Sequence, residues 1–124
     1  MNLKESGEMY LETIYLLSKR NEKVRSLDIA TSMGFSKPSV SRAVHLLEKD
    51  GYIIIDDNGY IDLTKDGYIH ASKIYERHTV LTKFLEKLEV PSDVAENDAC
   101  KMEHVISDET LEAIKKFIKN PKYI

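Results

Sequence analysis

The sequence has few of the features of exported or membrane-bound proteins. It contains a single cysteine, Cys100, so no disulfide can form within the chain. No apolar run approaches the roughly 20 residues that span a bilayer, and the N-terminal residues Met1–Glu5 lack the apolar core of a signal peptide. We therefore expect a cytoplasmic chain without a membrane partner, whose one thiol stays reduced and is available as a thiolate ligand.

The sequence also lacks internal repeats, low-complexity segments, a glycine-rich phosphate loop and a visible pairing of a nucleophile with a base. The last two absences argue against an enzyme. Hydrophobic residues make up 42% of the chain and charged residues 31%, which is normal for a folded protein. A length of 124 residues allows one domain or two very small ones.

Charge is unevenly distributed along the chain. The net charge is -3, but residues 19–49 contain seven Lys and Arg against three Asp and Glu, a local charge of +4. A basic region within an acidic chain indicates a partner with phosphates on one side of the molecule and cations on another. A solvated surface of mixed charge is the alternative.

Hydrophobic spacing and turn residues predict a mainly helical chain with one β-hairpin. The first three predicted helices are Glu5–Ser18, then Leu27–Met33 with an N-cap at Ser26 and a stop at Gly34, and then a helix from an N-cap at Ser36 to Asp50. A fourth runs from an N-cap at Thr64 to about Leu88, and a fifth from Pro91-Ser92 through Val105. The last runs from an N-cap at Ser107 through Lys119 and ends before Pro121. Two β-prone segments, Tyr52–Ile55 and Tyr60–Leu63, flank Asn58-Gly59, a pair typical of hairpins.

Two short helices joined by a Gly-Phe turn and followed by a hairpin form the pattern of a winged helix-turn-helix. The second helix of this motif fits the major groove of DNA and meets base edges with its first turns, while the first helix and the wing contact phosphates. The predicted contacts in those first turns are Ser36, Lys37, Pro38, Ser39 and Arg42. Arg42 can bind guanine through two hydrogen bonds, and Arg25, Lys23 and Lys49 are predicted phosphate contacts.

A second group of chemically active residues lies towards the C-terminus. Cys100, Glu103 and His104 are spaced i, i+3 and i+4, so on a helix they share one face. They can be metal ligands, or a half-buried cysteine beside an exposed polar pair. Three further candidate ligands lie on other predicted helices: Met9 and Glu12, one turn apart, and His78.

Several segments together resemble the diphtheria toxin repressor family, the iron- and manganese-dependent transcriptional repressors. These segments are Glu8–Tyr15, Ser36–Ser41, Leu47–Gly51, Leu63–Gly67 and Ala99–Glu109. The resemblance covers nearly the whole chain and is to the short form without an SH3-like domain. It implies a mainly α fold, with a winged helix-turn-helix DNA-binding domain over residues 1–72 and an α-helical metal-binding and dimerisation domain over residues 73–124.

The resemblance also implies a set of metal ligands. The activating site of the iron-responsive branch falls here on Met9, Cys100, Glu103 and His104. The manganese branch is matched by Glu12, His78, Glu103 and His104, whereas Met9 and Cys100 stand where that branch has acids. An ancillary site of the iron branch is matched at His78 but not at Thr82 and Glu96. The chain is therefore a hybrid of the two branches.

Ligand softness predicts which metal binds. Thioether and thiolate favour Fe²⁺, Co²⁺, Ni²⁺ or Zn²⁺ over Mn²⁺. We expect Fe²⁺ in the cell, with Mn²⁺ as the alternative because Glu12 and His78 add harder ligands, and Co²⁺, Ni²⁺ or Zn²⁺ as substitutes in vitro.

The predicted function is a homodimeric repressor that binds double-stranded operator DNA with the metal as co-repressor and controls metal-ion homeostasis. The resemblance implies that dimer contacts come from the C-terminal helices, where Leu111, Ile114 and Phe117 form an apolar stripe. One alternative is a winged-helix regulator that senses an organic ligand, or an oxidant through Cys100. A metal-dependent enzyme or a metal-storage protein is the other alternative.

Overall fold

The computed structural model describes residues 5–20 and 23–120. The chain forms two compact units, Met1–Ser72 and Lys73–Ile124. Its elements in chain order are α1 (Glu5–Arg20), α2 (Ser26–Met33), α3 (Lys37–Lys49), β1 (Ile53–Ile55), β2 (Ile61–Leu63), α4 (Lys65–Lys87), α5 (Ser92–Met102) and α6 (Asp108–Lys119). The prediction of a mainly helical chain with one hairpin is confirmed. None of the described helices is long and apolar enough to span a membrane.

The first unit is built around helix α1, which packs against α2, α3 and β2. Its residues Leu11 and Ile14 have no exposed surface. Burying one such side chain stabilises the fold by roughly 1.5–3 kcal/mol. The partner elements contribute further buried apolar side chains: Ile29, Val40, Val44, Leu47, Ile53 and Ile61.

Helix α2 begins one residue earlier than predicted. Arg25, and not Ser26, is its N-cap, with an extended backbone, and the Arg25 N–H donates a hydrogen bond to Asp28 Oδ2 at 2.9 Å. The prediction that Ser26 caps this helix is therefore wrong. Gly34 ends the helix as predicted, at a φ of 72° that a residue without Cβ adopts at little cost, and its N–H donates to the Ala30 carbonyl.

Helix α3 begins as predicted. The Ser39 N–H donates to Ser36 Oγ at 3.3 Å, which makes Ser36 the N-cap. Pro38 stands in the first turn, where an N–H would have no partner within the helix. The helix buries Val40 and Val44 and leaves its first turn open to solvent.

The hairpin pairs β1 with β2 in antiparallel register, with Ile54 opposite Asp62. Each strand is one residue shorter than predicted, because Tyr52 precedes β1 and Tyr60 belongs to the loop. Asp56 N–H donates to the Tyr60 carbonyl, Gly59 N–H donates to the Asp56 carbonyl, and Gly59 has a φ of 83°. The result is a turn closed by a left-handed glycine. The segment before α2 also joins this wing, because Ile61 N–H donates to the Val24 carbonyl at 2.7 Å.

The second unit consists of the later part of α4 with α5 and α6. Its buried apolar residues are Ile74, Leu81, Ala95, Ala99 and Leu111. Helices α4 and α6 are also joined by an ion pair between Glu76 Oε1 and Lys115 Nζ at 2.6 Å. This hydrogen bond with Glu76 raises the pKa of Lys115.

The helix boundaries of the second unit differ from the predicted ones in one place that matters. Helix α5 ends at Met102 and not at Val105, with Glu103 as its C-cap. Ser107 caps α6 as predicted by accepting a hydrogen bond from the Thr110 N–H. The predicted stop at Pro121 lies outside the described residues.

Gly67, in the first turn of α4, is packed so closely against the backbone that a side chain would not fit. Thr64 Oγ1 caps the helix by accepting from the Gly67 N–H, as predicted for Thr64. A Cβ at Gly67 would lie 1.9 Å from the carbonyl oxygen of Tyr52. Alanine normally stabilises a helix by about 0.5–1 kcal/mol over glycine. Because of the clash, we expect Gly67→Ala to lower the free energy of unfolding by about 1–3 kcal/mol.

Urea denaturation of the full chain measures this change. The control is Lys65→Ala, an exposed position on the same helix turn, which we expect to change stability by less than about 0.5 kcal/mol. A Gly67→Ala protein as stable as the control would contradict the close approach of the Tyr52 carbonyl.

Candidate metal centre and DNA-binding surface

The second unit contains one buried charged side chain among the described residues, that of Glu103, with an exposed fraction of 1%. A carboxylate taken out of water without compensating partners destabilises a fold by several kcal/mol in order of magnitude. The partners of Glu103 therefore decide what this side chain does.

Two imidazoles lie against the Glu103 carboxylate. His78 Nδ1, from α4, lies 2.9 Å from Oε2, a hydrogen bond in which the protonated ring nitrogen donates. His104 Nε2 lies 3.4 Å from Oε1, and the His104 side chain is only 1% exposed. Oε1 of Glu103 is buried and accepts no hydrogen bond in the described part of the chain. The carboxylate is thus satisfied on one oxygen and short of a partner on the other.

The end of α5 places Glu103 and His104. Because the helix stops at Met102, these two residues lie in a turn, while Cys100 remains in the last turn of the helix. Glu103 still has a right-handed helical backbone, with φ -60° and ψ -24°, and its N–H donates to the Ala99 carbonyl. That all three residues share one face stays a prediction. Val105 N–H and Ile106 N–H both donate to the Met102 carbonyl at 3.1 Å, which closes the turn.

Arg77 of α4, which was not among the predicted site residues, holds this turn. Arg77 Nη1 donates to the backbone carbonyls of Glu103, at 3.3 Å, and of Ile106. Arg77 Nη2 donates to Asp108 Oδ1, in the first turn of α6. The only sequence signal for this residue is its position directly before His78.

The residues present fit a divalent metal ion. Two imidazoles and a buried carboxylate with a free acceptor oxygen are ligands that such ions accept. Within the described residues, however, no three His, Cys, Asp or Glu side chains are already grouped as a metal site. The structure brings together His78, Glu103 and His104, and leaves Cys100 half-buried on α5.

Two further predicted ligands belong to the first unit. Met9 and Glu12 are half-buried on α1, in the first unit. That they join the ligands of the second unit stays a prediction. At the ancillary positions, Thr82 donates its hydroxyl hydrogen to the His78 backbone carbonyl at 2.8 Å, and Glu96 is exposed.

The first turns of α3 expose the side chains predicted to meet DNA. Ser36, Lys37, Pro38 and Arg42 are exposed, and Ser39 is half-buried. Arg42 Nη2 lies 3.4 Å from Ser39 Oγ, which also accepts from the Ser36 hydroxyl. The guanidinium is therefore held near the start of the helix, where a base-reading side chain must lie.

Two of the predicted phosphate contacts, Lys23 and Arg25, lie against the ring of Tyr60, which was not among the predicted site residues. Arg25 Cζ lies 4.3 Å and Lys23 Nζ 4.8 Å from the centre of the Tyr60 ring. A hydrogen bond from Arg25 lowers the pKa of Tyr60. Lys49, the third predicted phosphate contact, is exposed at the end of α3. Tyr60 thus holds two of the three predicted phosphate contacts beside the hairpin.

Two family profiles match consecutive parts of the chain. The N-terminal DNA binding domain of iron dependent repressors matches residues 2–61, and the metal binding and dimerisation domain of these repressors matches residues 64–123. The fold and these matches define a winged-helix DNA-binding domain followed by a helical metal-binding and dimerisation domain. The chain belongs to the iron-dependent repressor family, the metal-dependent transcriptional repressors that include the diphtheria toxin repressor.

Individual relatives agree with this assignment. The chain is 34% identical over 122 residues to an uncharacterized HTH-type transcriptional regulator of Methanocaldococcus jannaschii, covering 97% of this chain and 98% of that one. It is 28% identical over 121 residues to the diphtheria toxin repressor of Corynebacterium diphtheriae, covering 96% and 53%. The solved structure of the manganese regulator SloR matches with a TM-score of 0.81 at 36% identity, covering 98% and 56%. The chain spans about half the length of these last two proteins.

The family assignment decides between the predicted classes of protein. Its members are DNA-binding transcriptional repressors and not enzymes. Sensing of an organic ligand or an oxidant at Cys100 gains no support from these similarities.

The predicted roles of Arg42 and Lys49 can be separated by their effects on DNA binding. If Arg42 reads a base, Arg42→Ala weakens binding to the specific operator by about 1–3 kcal/mol and relaxes the preference at one base position. Lys49→Ala, the matched control for a phosphate contact, weakens all sequences alike and reduces the salt slope by about 1. Fluorescence anisotropy across salt concentrations measures both. An equal loss on every sequence in Arg42→Ala would assign Arg42 to the phosphates.

Proposed function

We propose that this protein is a metal-activated transcriptional repressor, in which Fe²⁺, or Mn²⁺ as the alternative, acts as co-repressor for binding to double-stranded operator DNA. The observation that carries the proposal is the Glu103 carboxylate, which is buried between His78 and His104 with one oxygen short of a partner. A divalent cation offers that carboxylate the compensation that the two imidazoles give only in part.

Different observations support the different proposed ligands. His78, Glu103 and His104 are supported by their contacts in the second unit. Cys100 is supported by its place on the last turn of α5, directly before the turn over residues 103–106 that carries Glu103 and His104, here called the ligand turn. Met9 and Glu12 are supported by the family resemblance and by their place one turn apart on α1.

The choice of Fe²⁺ depends on Cys100 and Met9. Thiolate and thioether are soft ligands, and they select against Mn²⁺, which prefers carboxylate and water oxygen. Two points support Mn²⁺ as the alternative. The similar protein SloR, at 36% identity, is a manganese regulator, and Glu12 and His78 are harder ligands than Cys100 and Met9.

The metal acts by a shift of population. It favours DNA binding only if it binds the DNA-competent arrangement better than the other one. In a dimeric repressor the two recognition helices must match half-sites about one helical turn of DNA, 34–36 Å, apart, or a multiple of that distance. A metal that fixes this arrangement raises the affinity for the operator.

The second unit offers an apolar surface for a homodimer. Phe84 of α4 and Leu88, the residue after that helix, line a groove with Ile114 and Phe117 of α6. The centres of the two phenylalanine rings are 5.7 Å apart. Leu88 is 53% exposed. Leu111 was predicted to share this surface, but it is buried inside the unit with an exposed fraction of 5%, so that part of the prediction is wrong. Ile114 and Phe117 are the predicted dimer contacts that remain.

The proposal is tested by operator gel shifts with Fe²⁺, Mn²⁺, Zn²⁺ and Co²⁺ under anaerobic conditions. We expect metal to strengthen operator binding, with Fe²⁺ effective. Glu103→Gln keeps the size of the side chain but removes its charge, and His104→Ala removes an imidazole. Both variants should lose the metal response and keep only weak, salt-sensitive binding.

The control for these variants is Glu96→Gln, which changes an exposed carboxylate of α5 and should keep the full response. A metal response that survives in both Glu103→Gln and His104→Ala would overturn the proposed site.

The role of Cys100 in metal choice is tested separately. Co²⁺ bound to the wild-type protein should show a thiolate-to-metal absorption band that is lost in Cys100→Ala. Cys100→Glu replaces sulfur with oxygen, so it should lower the Mn²⁺ concentration needed for half-maximal operator binding relative to that of Co²⁺. Absence of the band in the wild type, or an unchanged Mn²⁺ to Co²⁺ ratio in Cys100→Glu, would contradict a thiolate ligand.

A further inference from the structure

One side chain outside the predicted ligand set makes three hydrogen bonds around the ligand turn. Arg77 donates to the backbone carbonyls of Glu103 and Ile106 and to the carboxylate of Asp108. Its side chain is 20% exposed, whereas that of Asp108 is 83% exposed. The carbonyl contacts are therefore the better shielded part of the arrangement, and the ion pair to Asp108 is open to solvent screening.

Both carbonyls belong to the chain that follows α5. Glu103 is the C-cap of the helix, and Ile106 lies four residues beyond its last residue, Met102. A cation near the C-terminus of a helix is also favoured by the helix dipole. The planar guanidinium reaches both carbonyls and Asp108 at once, which the single ammonium group of a lysine does not.

We infer that Arg77 is a positioning residue for the metal centre: its bonds to the Glu103 and Ile106 carbonyls fix the turn that carries Glu103 and His104. The inference rests on the proposed function. Arg77 is one residue before His78 on α4. One turn of that helix therefore carries both the proposed ligand His78 and the side chain that holds the turn of Glu103 and His104. The affinity for metal then depends on a side chain that does not contact the ion.

The same guanidinium joins the ligand turn to the next helix. Asp108 belongs to the first turn of α6, and residues of α6 line the apolar groove described above. Arg77 therefore connects the ligand turn with the helix that offers the dimer surface.

The chain contains a matched control for a purely structural role. Glu76, the neighbour of Arg77 on α4, forms an ion pair with Lys115 of α6. Glu76→Ala removes a contact between the same two helices without touching the ligand turn. Asp108→Asn removes the charged partner of Arg77 and leaves both carbonyl contacts in place.

The experiment is Co²⁺ titration of the full chain, followed by absorption, together with amide hydrogen exchange of the metal-free protein. Arg77→Ala should raise the dissociation constant for Co²⁺ by about 10–100-fold, as loss of a residue that orients ligands does elsewhere. Arg77→Lys should fall between wild type and Arg77→Ala. Glu76→Ala and Asp108→Asn should stay close to wild type.

Hydrogen exchange gives the second readout. The amides of Val105 and Ile106, which close the ligand turn, should exchange faster in metal-free Arg77→Ala and remain protected in Glu76→Ala. A residue that only stabilises the second unit would change the melting temperature in Arg77→Ala and Glu76→Ala alike, without this difference at the turn.

The outcomes separate this inference from the proposed function. A wild-type dissociation constant in Arg77→Ala, with Glu103→Gln unable to bind Co²⁺, overturns the role of Arg77 and keeps the metal site. Equal losses in Arg77→Ala and Glu76→Ala overturn it as well. If Arg77→Ala does not fold, Arg77→Lys decides, and wild-type affinity in that variant overturns the inference. Undiminished Co²⁺ binding in Glu103→Gln overturns the proposed metal site itself.

Discussion

The carboxylate of Glu103 is the constraint on which the second unit depends. A buried charge costs folding free energy unless its surroundings compensate it, and here one oxygen has the hydrogen bond from His78 while the other has only the looser approach of His104. A fold optimised for stability alone would place an apolar residue at this position. The incompletely compensated carboxylate between two imidazoles is what supports the proposal of a cation site in this unit.

The turn after α5 carries this arrangement. Glu103 is the C-cap of α5, and its carboxylate meets His78 of α4. Arg77 of α4 donates to the carbonyls of Glu103 and Ile106 in the same turn. The position of the proposed ligands therefore depends on these backbone contacts with Arg77 as well as on the ligand side chains themselves.

The first unit is organised by local rules to a greater extent. The serine cap of α3 and the left-handed glycine after α2 set the two helices of the DNA-binding motif within a few residues. The wing adds a contribution from farther along the chain, because Tyr60 of the hairpin lies against Arg25 and Lys23. Stacking on an aromatic ring limits the freedom of these two cations, which lowers the entropy that their predicted contacts with phosphates cost.

The sequence by itself determined the order and type of the elements, the caps at Ser36, Thr64 and Ser107, and the family, because caps, turns and hydrophobic spacing are properties of neighbouring residues. It also supplied the residue types of the candidate site. Only the tertiary structure decided that Arg25 caps α2, that α5 ends at Met102, that Leu111 is buried, and that Arg77 clamps the ligand turn. The cap at Arg25 uses a local partner, Asp28, three residues along the chain. The other three depend on a partner distant in sequence or on the competition between a helix and the turn that follows it, which local spacing does not encode.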